Sequence, residues 1–211
     1  MNDTPTPRRR GRPPKGDNNS LRKELIAKSA ALFRSKGYER TTVRDIAAAS
    51  GVQAGSWFYY FKTKQDILAA VMEEGMANSL ERIETLKVEA LPAPQAFRAL
   101  IHAHLDTILS PNHDFIPVLL YEWNSLEAPA QARIIALQHR YEALWDAVIA
   151  RLQAAGDWAM PTRIDRLMVF GALNWMAQWY KQDGRMSLDE LVDQALVFFM
   201  RSEAAVSHTR P

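Results

Sequence analysis

The sequence predicts an all-α fold in two parts, a small three-helix head and a larger helical body. Three observations predict it. Apolar residues recur at helical spacing along most of the chain, and no segment alternates with period two. Prolines stand where first turns accept them, and glycines stand at segment ends. Residues 41–68 compress two short helices, a tight turn and the start of a long helix into one stretch.

Residues 1–19 are rich in Pro, Arg and Gly with no apolar periodicity, and are read as a disordered basic arm. The head spans residues 20–68. Ser20 is the expected N-cap of its first helix, with Glu24 reaching back to the first turn. Leu25, Ile26, Leu32 and Phe33 make its inner stripe, and Gly37 ends it. Thr41 and Thr42 supply capping hydroxyls to a second helix, whose apolar face is Val43, Ile46 and Ala47. Gly51 falls where the chain turns and φ becomes positive. A third helix is expected over residues 54–60. One helix face cannot bury five consecutive side chains, so part of the run Trp57, Phe58, Tyr59, Tyr60 and Phe61 must face outward.

The body, residues 69–211, continues a long helix to about Leu91, where Pro92 and Pro94 stop it. Further helices are expected over residues 94–109, 115–126, 129–155, 162–182 and 187–202. Phe97, Leu100, Ile101, His104, Leu105 and Ile108 form an inward stripe on the first of them.

Charge is unevenly placed along the chain, although the net is only +2. Residues 1–16 carry five basic side chains against Asp3, and residues 17–68 carry nine against five acidic. Residues 69–211 carry twelve against eighteen, so a basic N-terminal third precedes an acidic remainder. That is the footprint of a polyanion-binding head, and exposed tyrosines beside Lys62 and Lys64 suit a duplex groove. There is no cysteine, which excludes disulfide and thiolate chemistry and fits a cytoplasmic protein. No apolar run approaches the ~20 residues that span a bilayer, so no membrane partner is expected.

The set Ala30, Leu32, Phe33, Gly37, Tyr38, Thr41, Thr42, Val43, Ile46 and Ala47, then Gly51, Val52, Gly55, Ser56, Tyr60, Phe61, Lys64 and Leu68, resembles the TetR/AcrR-type transcriptional regulators. The resemblance implies a homodimeric, all-helical repressor that binds a double-stranded DNA operator and a small effector. It places Gln53, Ala54, Ser56, Tyr59 and Tyr60 at the major groove or flanking phosphates, with residues 54–60 as recognition helix. Thr42 and Arg44 then touch the backbone, and Lys64 meets a phosphate at a helix N-terminus. Trp57 and Phe61 are expected inside the head. Phe58 stands where the family carries a tyrosine, and Ala54 replaces a polar or basic residue. In the arm, residues 8–15 (RRRGRPPK) resemble an AT-hook. Arg10 and Arg12 would read a narrow minor groove; a plain basic tail that neutralises phosphates is the other reading.

In the body, the aromatic residues around Trp123, Trp175 and Trp179 can enclose an apolar pocket or simply fill a core. Asn174 and Gln178 share one helix face, and Trp175 and Trp179 share the neighbouring one. With His104 and Glu122 they are candidates to orient a bulky apolar effector. Leu173, Asn174, Trp175, Trp179, Tyr180 and Gly184 are similar to a stretch in acyl-CoA-responsive members, which points to a coenzyme A thioester. Phe170, Gly171, Leu191, Ala195 and Phe198 are the expected dimer seam; an intramolecular seam is the alternative. His102 and Asp106 lie one turn apart, but no catalytic or metal motif accompanies them, so neither an enzyme nor a cofactor is expected. An architectural DNA binder acting through its arm would leave the aromatic body unexplained.

Overall fold

The computed structural model describes residues 15–109, 114–158 and 164–200. Arg10 and Arg12 lie outside them. Among the described residues the chain is helical throughout, without a strand. The helices are α1 (Lys15–Lys36), α2 (Val43–Ala49), α3 (Ala54–Trp57), α4 (Lys64–Glu84), α5 (Ala93–Leu109), α6 (Phe115–Tyr121), α7 (Ala128–Ala155), α8 (Asp165–Trp179) and α9 (Leu188–Phe199). The first three and the start of α4 form the head. The rest of α4 packs on α5, α6 and α7 in the body.

Local chemistry sets most boundaries. Thr42, Thr63 and Ser187 each head a capping box with the carboxylate three residues on, Asp45, Asp66 and Glu190. Gly37, Gly51 and Gly156 take positive φ where α1, α2 and α7 end. Pro129 sits in the first turn of α7. Thr41 does not cap α2. It is buried, and its hydroxyl donates to the Gly37 carbonyl at 2.8 Å.

Four boundaries differ from the sequence reading. Helix α1 begins at Lys15, so Ser20 lies inside it and residues 15–19 belong to the helix. Helix α3 is a single turn, and the chain from Phe58 to Tyr60 continues as tighter turns, with the Tyr59 and Tyr60 N–H groups donating three residues back. Helix α6 stops at Tyr121 and a short 3-10 turn, Trp123–Ser125, follows. Helix α4 ends at Glu84, not near Leu91. Lys87 is left-handed, Val88 is buried, and the Arg151 guanidinium on α7 donates to the carbonyls of Val88, at 2.9 Å, and Leu91. A side chain 60 or more positions away thus holds the turn between this helix and the prolines.

One apolar core runs from head to body. Leu25, Phe33, Ile46, Trp57 and Phe61 fill the head and meet Ile67, Leu68, Val71 and Met72 of α4. Phe97, Leu100, Ile101, Trp145 and Leu152 continue it between α5 and α7.

Candidate DNA interface and effector cavity

The head presents its predicted residues on α2, α3 and the turn that follows. Helices α2 and α3 pack together, with Ile46, Ala47 and Trp57 buried. Thr42, Arg44, Gln53 and Ser56 are exposed, and Tyr59 is 68% exposed. Ala54 opens α3. Tyr60 is half-buried against the core, with its ring edge-on to Tyr59 at 5.3 Å. Phe58 is exposed beside Tyr59, so the missing hydroxyl leaves a bare ring at this surface. Trp57 and Phe61 are buried, as expected.

Two of these residues are already engaged. The Thr42 hydroxyl donates to Asp45 and accepts the Asp45 N–H. The Thr42 N–H and hydroxyl hold the Asp45 carboxyl below its ordinary range. Lys64 opens α4, and its ammonium donates to the Tyr38 carbonyl at 2.9 Å while lying 4.0 Å from the Tyr38 ring centre. The ammonium also donates to the Glu39 carbonyl at 3.5 Å; it carries three hydrogens, so Lys64 braces the α1–α2 turn and keeps one donor for a phosphate. Burial, with nearby carboxylates such as Glu39, pushes the Tyr38 hydroxyl up to about 12.

The body holds a cavity of about 90 Å3 between α4, α5, α6, α7 and α8. His104 is at its centre. Its Nδ1 lies 2.9 Å from the Tyr141 hydroxyl and its Nε2 lies 3.1 Å from Asn174 Oδ1. A carbonyl oxygen only accepts, so Nε2 carries the proton and Tyr141 donates to Nδ1. Phe170 stacks on the imidazole at 5.4 Å. Burial lowers the His104 pKa to about 4, against the raising effect of Asn174, so the ring is neutral. Asn174 lines the cavity with apolar groups such as Met76, Ile116 and Leu119 and with polar ones such as Gln138 and Glu142.

The residues expected around a pocket divide. His104 and Asn174 line the cavity, but Trp123, Trp175, Gln178 and Trp179 do not. Trp175 is 67% exposed and Trp179 51% exposed. Trp123 sits partly buried on the 3-10 turn, with its carbonyl accepting Gln131. Gln178 donates outside the cavity to the Tyr121 hydroxyl at 3.1 Å. Tyr141 is one of the body's many aromatics, and nothing in its spacing singles it out as the partner of His104; a buried histidine on an apolar stripe requires a polar partner without naming it.

The expected dimer seam divides as well. Phe170 faces His104 and Trp145, and Leu191 and Ala195 are buried within the protomer, where α9 packs on α5. Gly171 and Phe198 are exposed. Around them Ile164 just before α8, Leu167, Met168, Trp175 and Trp179 on α8, and Val197 on α9, are exposed too. The outward stripe of α8 is thus aromatic and aliphatic.

Helix α6 joins the two regions. Ile116, Leu119 and Leu120 wall the cavity. Beside them Asp114 pairs with Arg34 of α1 at 2.6 Å, and Glu122 accepts the Tyr38 N–H at 2.8 Å. Gln65 of α4 donates to the Ser125 carbonyl. Glu122, a candidate for orienting an effector, instead ties the head to the body.

The family model for bacterial regulatory proteins of the tetR family matches residues 25–71, and that for a tetracyclin repressor-like C-terminal domain matches residues 90–202. The chain belongs to the TetR family of transcriptional regulators. The TetR-family repressor KstR2 of Rhodococcus jostii is 25% identical over 193 residues, covering 87% of this chain and 93% of that protein. The fatty acid metabolism regulator protein of Bacillus subtilis is 24% identical over 176 residues, covering 82% and 90%. The crystal structure of superantigen PfiT is 40% identical, with a TM-score of 0.73, covering 88% of this chain and 99% of that one. Head and body together therefore make a TetR-family DNA-binding regulator, and no described helix is long and apolar enough to cross a membrane.

Proposed function

We propose that this regulator is a homodimeric repressor, released from a palindromic operator when an apolar effector enters the His104 cavity. The carrying observation is that α6 is both a wall of that cavity and the element tied to the head. Size makes the coupling physical. An engineered cavity of about 150 Å3 takes benzene, and the present one is about 90 Å3. An acyl chain or steroid-sized ring system enters only by displacing wall side chains. The α6 residues are the wall that also carries Asp114, beside Arg34. Ligand occupancy then favours a state with moved α6 and shifted heads, which is the differential affinity that release requires.

The effector class is read as a bulky apolar molecule with a carbonyl, such as an acyl-CoA thioester. Asn174 lines the cavity and its amide N–H groups can donate to that carbonyl, and the name of the Bacillus relative, a fatty acid metabolism regulator, supports a lipid-derived ligand. The dimer is read from the exposed stripe of Leu167, Met168, Gly171 and Trp175 with Phe198, which a second copy would cover. In the head, Arg44, Gln53, Ser56, Tyr59 and Lys64 are assigned to DNA, with Arg10 and Arg12 of the arm alongside. The test is operator affinity measured across a series of acyl-CoA thioesters of rising chain length. Effector-dependent loss of binding that disappears in Asn174→Leu supports the reading. Operator affinity indifferent to every ligand that binds the body would refute it.

A further inference from the structure

A second cavity, of about 570 Å3, opens between the head and the body, on the other side of α6 from His104. It is large enough for a drug-sized molecule, and four helices from both parts of the chain line it. The end of α1 and the turn after it contribute Arg34 and Arg40. Ile108 comes from α5, Pro117 and Tyr121 from α6, and Gln178 from α8.

Its chemistry is amphipathic and net cationic. Arg34 uses one terminal nitrogen on Asp114, and Arg40 uses Nε on the Lys36 carbonyl at 2.6 Å. Each guanidinium has five N–H donors, so both keep several for a ligand. Among the described residues the one carboxylate in the lining, Glu122, has its oxygens occupied by the Tyr38 N–H and the Ser125 hydroxyl. The Tyr121 hydroxyl accepts from Gln178 and keeps its own proton to donate. Ile108, Pro117 and the Tyr121 ring give an apolar floor beside these donors.

We infer that this cleft is a second ligand site, distinct from the His104 cavity, and that it takes a small aromatic or aliphatic carboxylate. The carboxylate meets the two arginines, Arg40 in a bidentate fork, and the apolar part lies on Ile108, Pro117 and Tyr121. A ligand there touches head and body at once. It therefore stabilises one relative orientation of the two, and operator DNA must change its affinity by the same factor as it changes that of DNA.

The probe is 2-naphthoate, titrated by calorimetry into the full-length protein, with uncharged 2-naphthamide as its partner. Expected are binding of the acid, at least tenfold weaker binding of the amide, and about tenfold weakening by Arg40→Gln, the size of a lost charge-assisted bond. Ala177→Trp plugs the cleft from α8 and should abolish binding, with Ser35→Trp as the plug from α1 if the first fails to fold. His104→Phe, in the other cavity, should leave the affinity unchanged within twofold. No binding of the acid, equal binding of acid and amide, or a folded plug variant that binds normally overturns the proposal. Binding lost in His104→Phe alone also overturns it, and moves the ligand to the inner cavity, whose own role does not depend on this cleft.

Discussion

Gly75 lies on α4 where α6 begins to cross it, and a Cβ built there would stand 2.2 Å from two ring carbons of Phe115. That is closer than any unstrained contact, so Gly75→Ala forces Phe115 or α6 to move. Two opposing magnitudes decide the outcome. Alanine gains about 0.8–1 kcal/mol over glycine in a helix interior. Overpacking a filled site costs typically 1–3 kcal/mol. The clash is with the near end of a buried ring, including its Cβ at 2.7 Å, so a simple rotamer change does not relieve it. The expected net is a destabilisation of up to about 2 kcal/mol by urea unfolding, with an altered operator affinity because Asp114, next to Phe115, holds Arg34. In a Phe115→Leu background the same substitution should become neutral or stabilising, which a double-mutant cycle reads as a coupling of at least 1 kcal/mol. If Gly75→Ala alone raises stability by about 1 kcal/mol, the close crossing of α4 and α6 is wrong, and the proposed transmission fails with it.

Acid should weaken the fold through His104, whose pKa falls from 6.5 unfolded to about 4 folded. Between those values the unfolded chain binds more protons, so this contribution is fully present above pH 6.5 and is lost as pH falls through 4, up to roughly 3 kcal/mol; a His104→Gln variant should show a flatter stability–pH profile there, and an unchanged profile would remove His104 as its source. Tyr59→Ala should weaken operator binding without loss of stability, whereas Tyr60→Ala should also lower the melting temperature because its ring packs on the core; equal melting curves for the two would contradict the placement. Lys64→Ala should weaken binding across DNA sequences and reduce the salt slope by about one contact, read by fluorescence anisotropy at several salt concentrations. Phe198→Glu puts a charge on the exposed α9 face and should yield monomers in sedimentation analysis while leaving the protomer folded, whereas Leu191→Glu, buried within the protomer, should unfold it.

The fold was legible wherever a boundary is set by its own residues. The capping hydroxyls of Thr42, the positive φ of Gly37, Gly51 and Gly156, and the first-turn Pro129 act within one turn of where they stand. The end of α4 was not legible, because the turn that follows it is held from α7, by Arg151 on the carbonyls of Val88 and Leu91. The site divided in the same way. In the head, the aromatic run 57–61 has to split between inside and outside, and Trp57 and Phe61 went in as expected. In α8, Leu167, Met168, Val169, Phe170, Leu173, Trp175, Met176 and Trp179 surround the helix, so periodicity pairs residues but does not select the inner face. Asn174 stands a turn from Gln178, yet of the two Asn174 lines the cavity, where His104 on α5 is its polar partner and Tyr141 on α7 holds the other side of that imidazole.

The attachment of α6 to the head joins polar pairs to the buried Phe115 and Val118, whereas the attachment of α4 to the head is apolar, and the difference bears on how a signal can travel. Arg34–Asp114 is half exposed on the arginine side, and Tyr38–Glu122 and Gln65–Ser125 are single hydrogen bonds. Each is worth about 1 kcal/mol net or less, so together they hold the head by about as much as ligands commonly supply in coupling, 1–3 kcal/mol. Ile67, Leu68, Val71 and Met72 are all essentially inaccessible, and separating them from Leu25 and Phe33 would expose several core side chains at roughly 1.5–3 kcal/mol each. A ligand cannot open that core, but it can exchange the polar contacts. In the proposed release the head would move with α4 as one piece, with α6 setting the angle at which it rests.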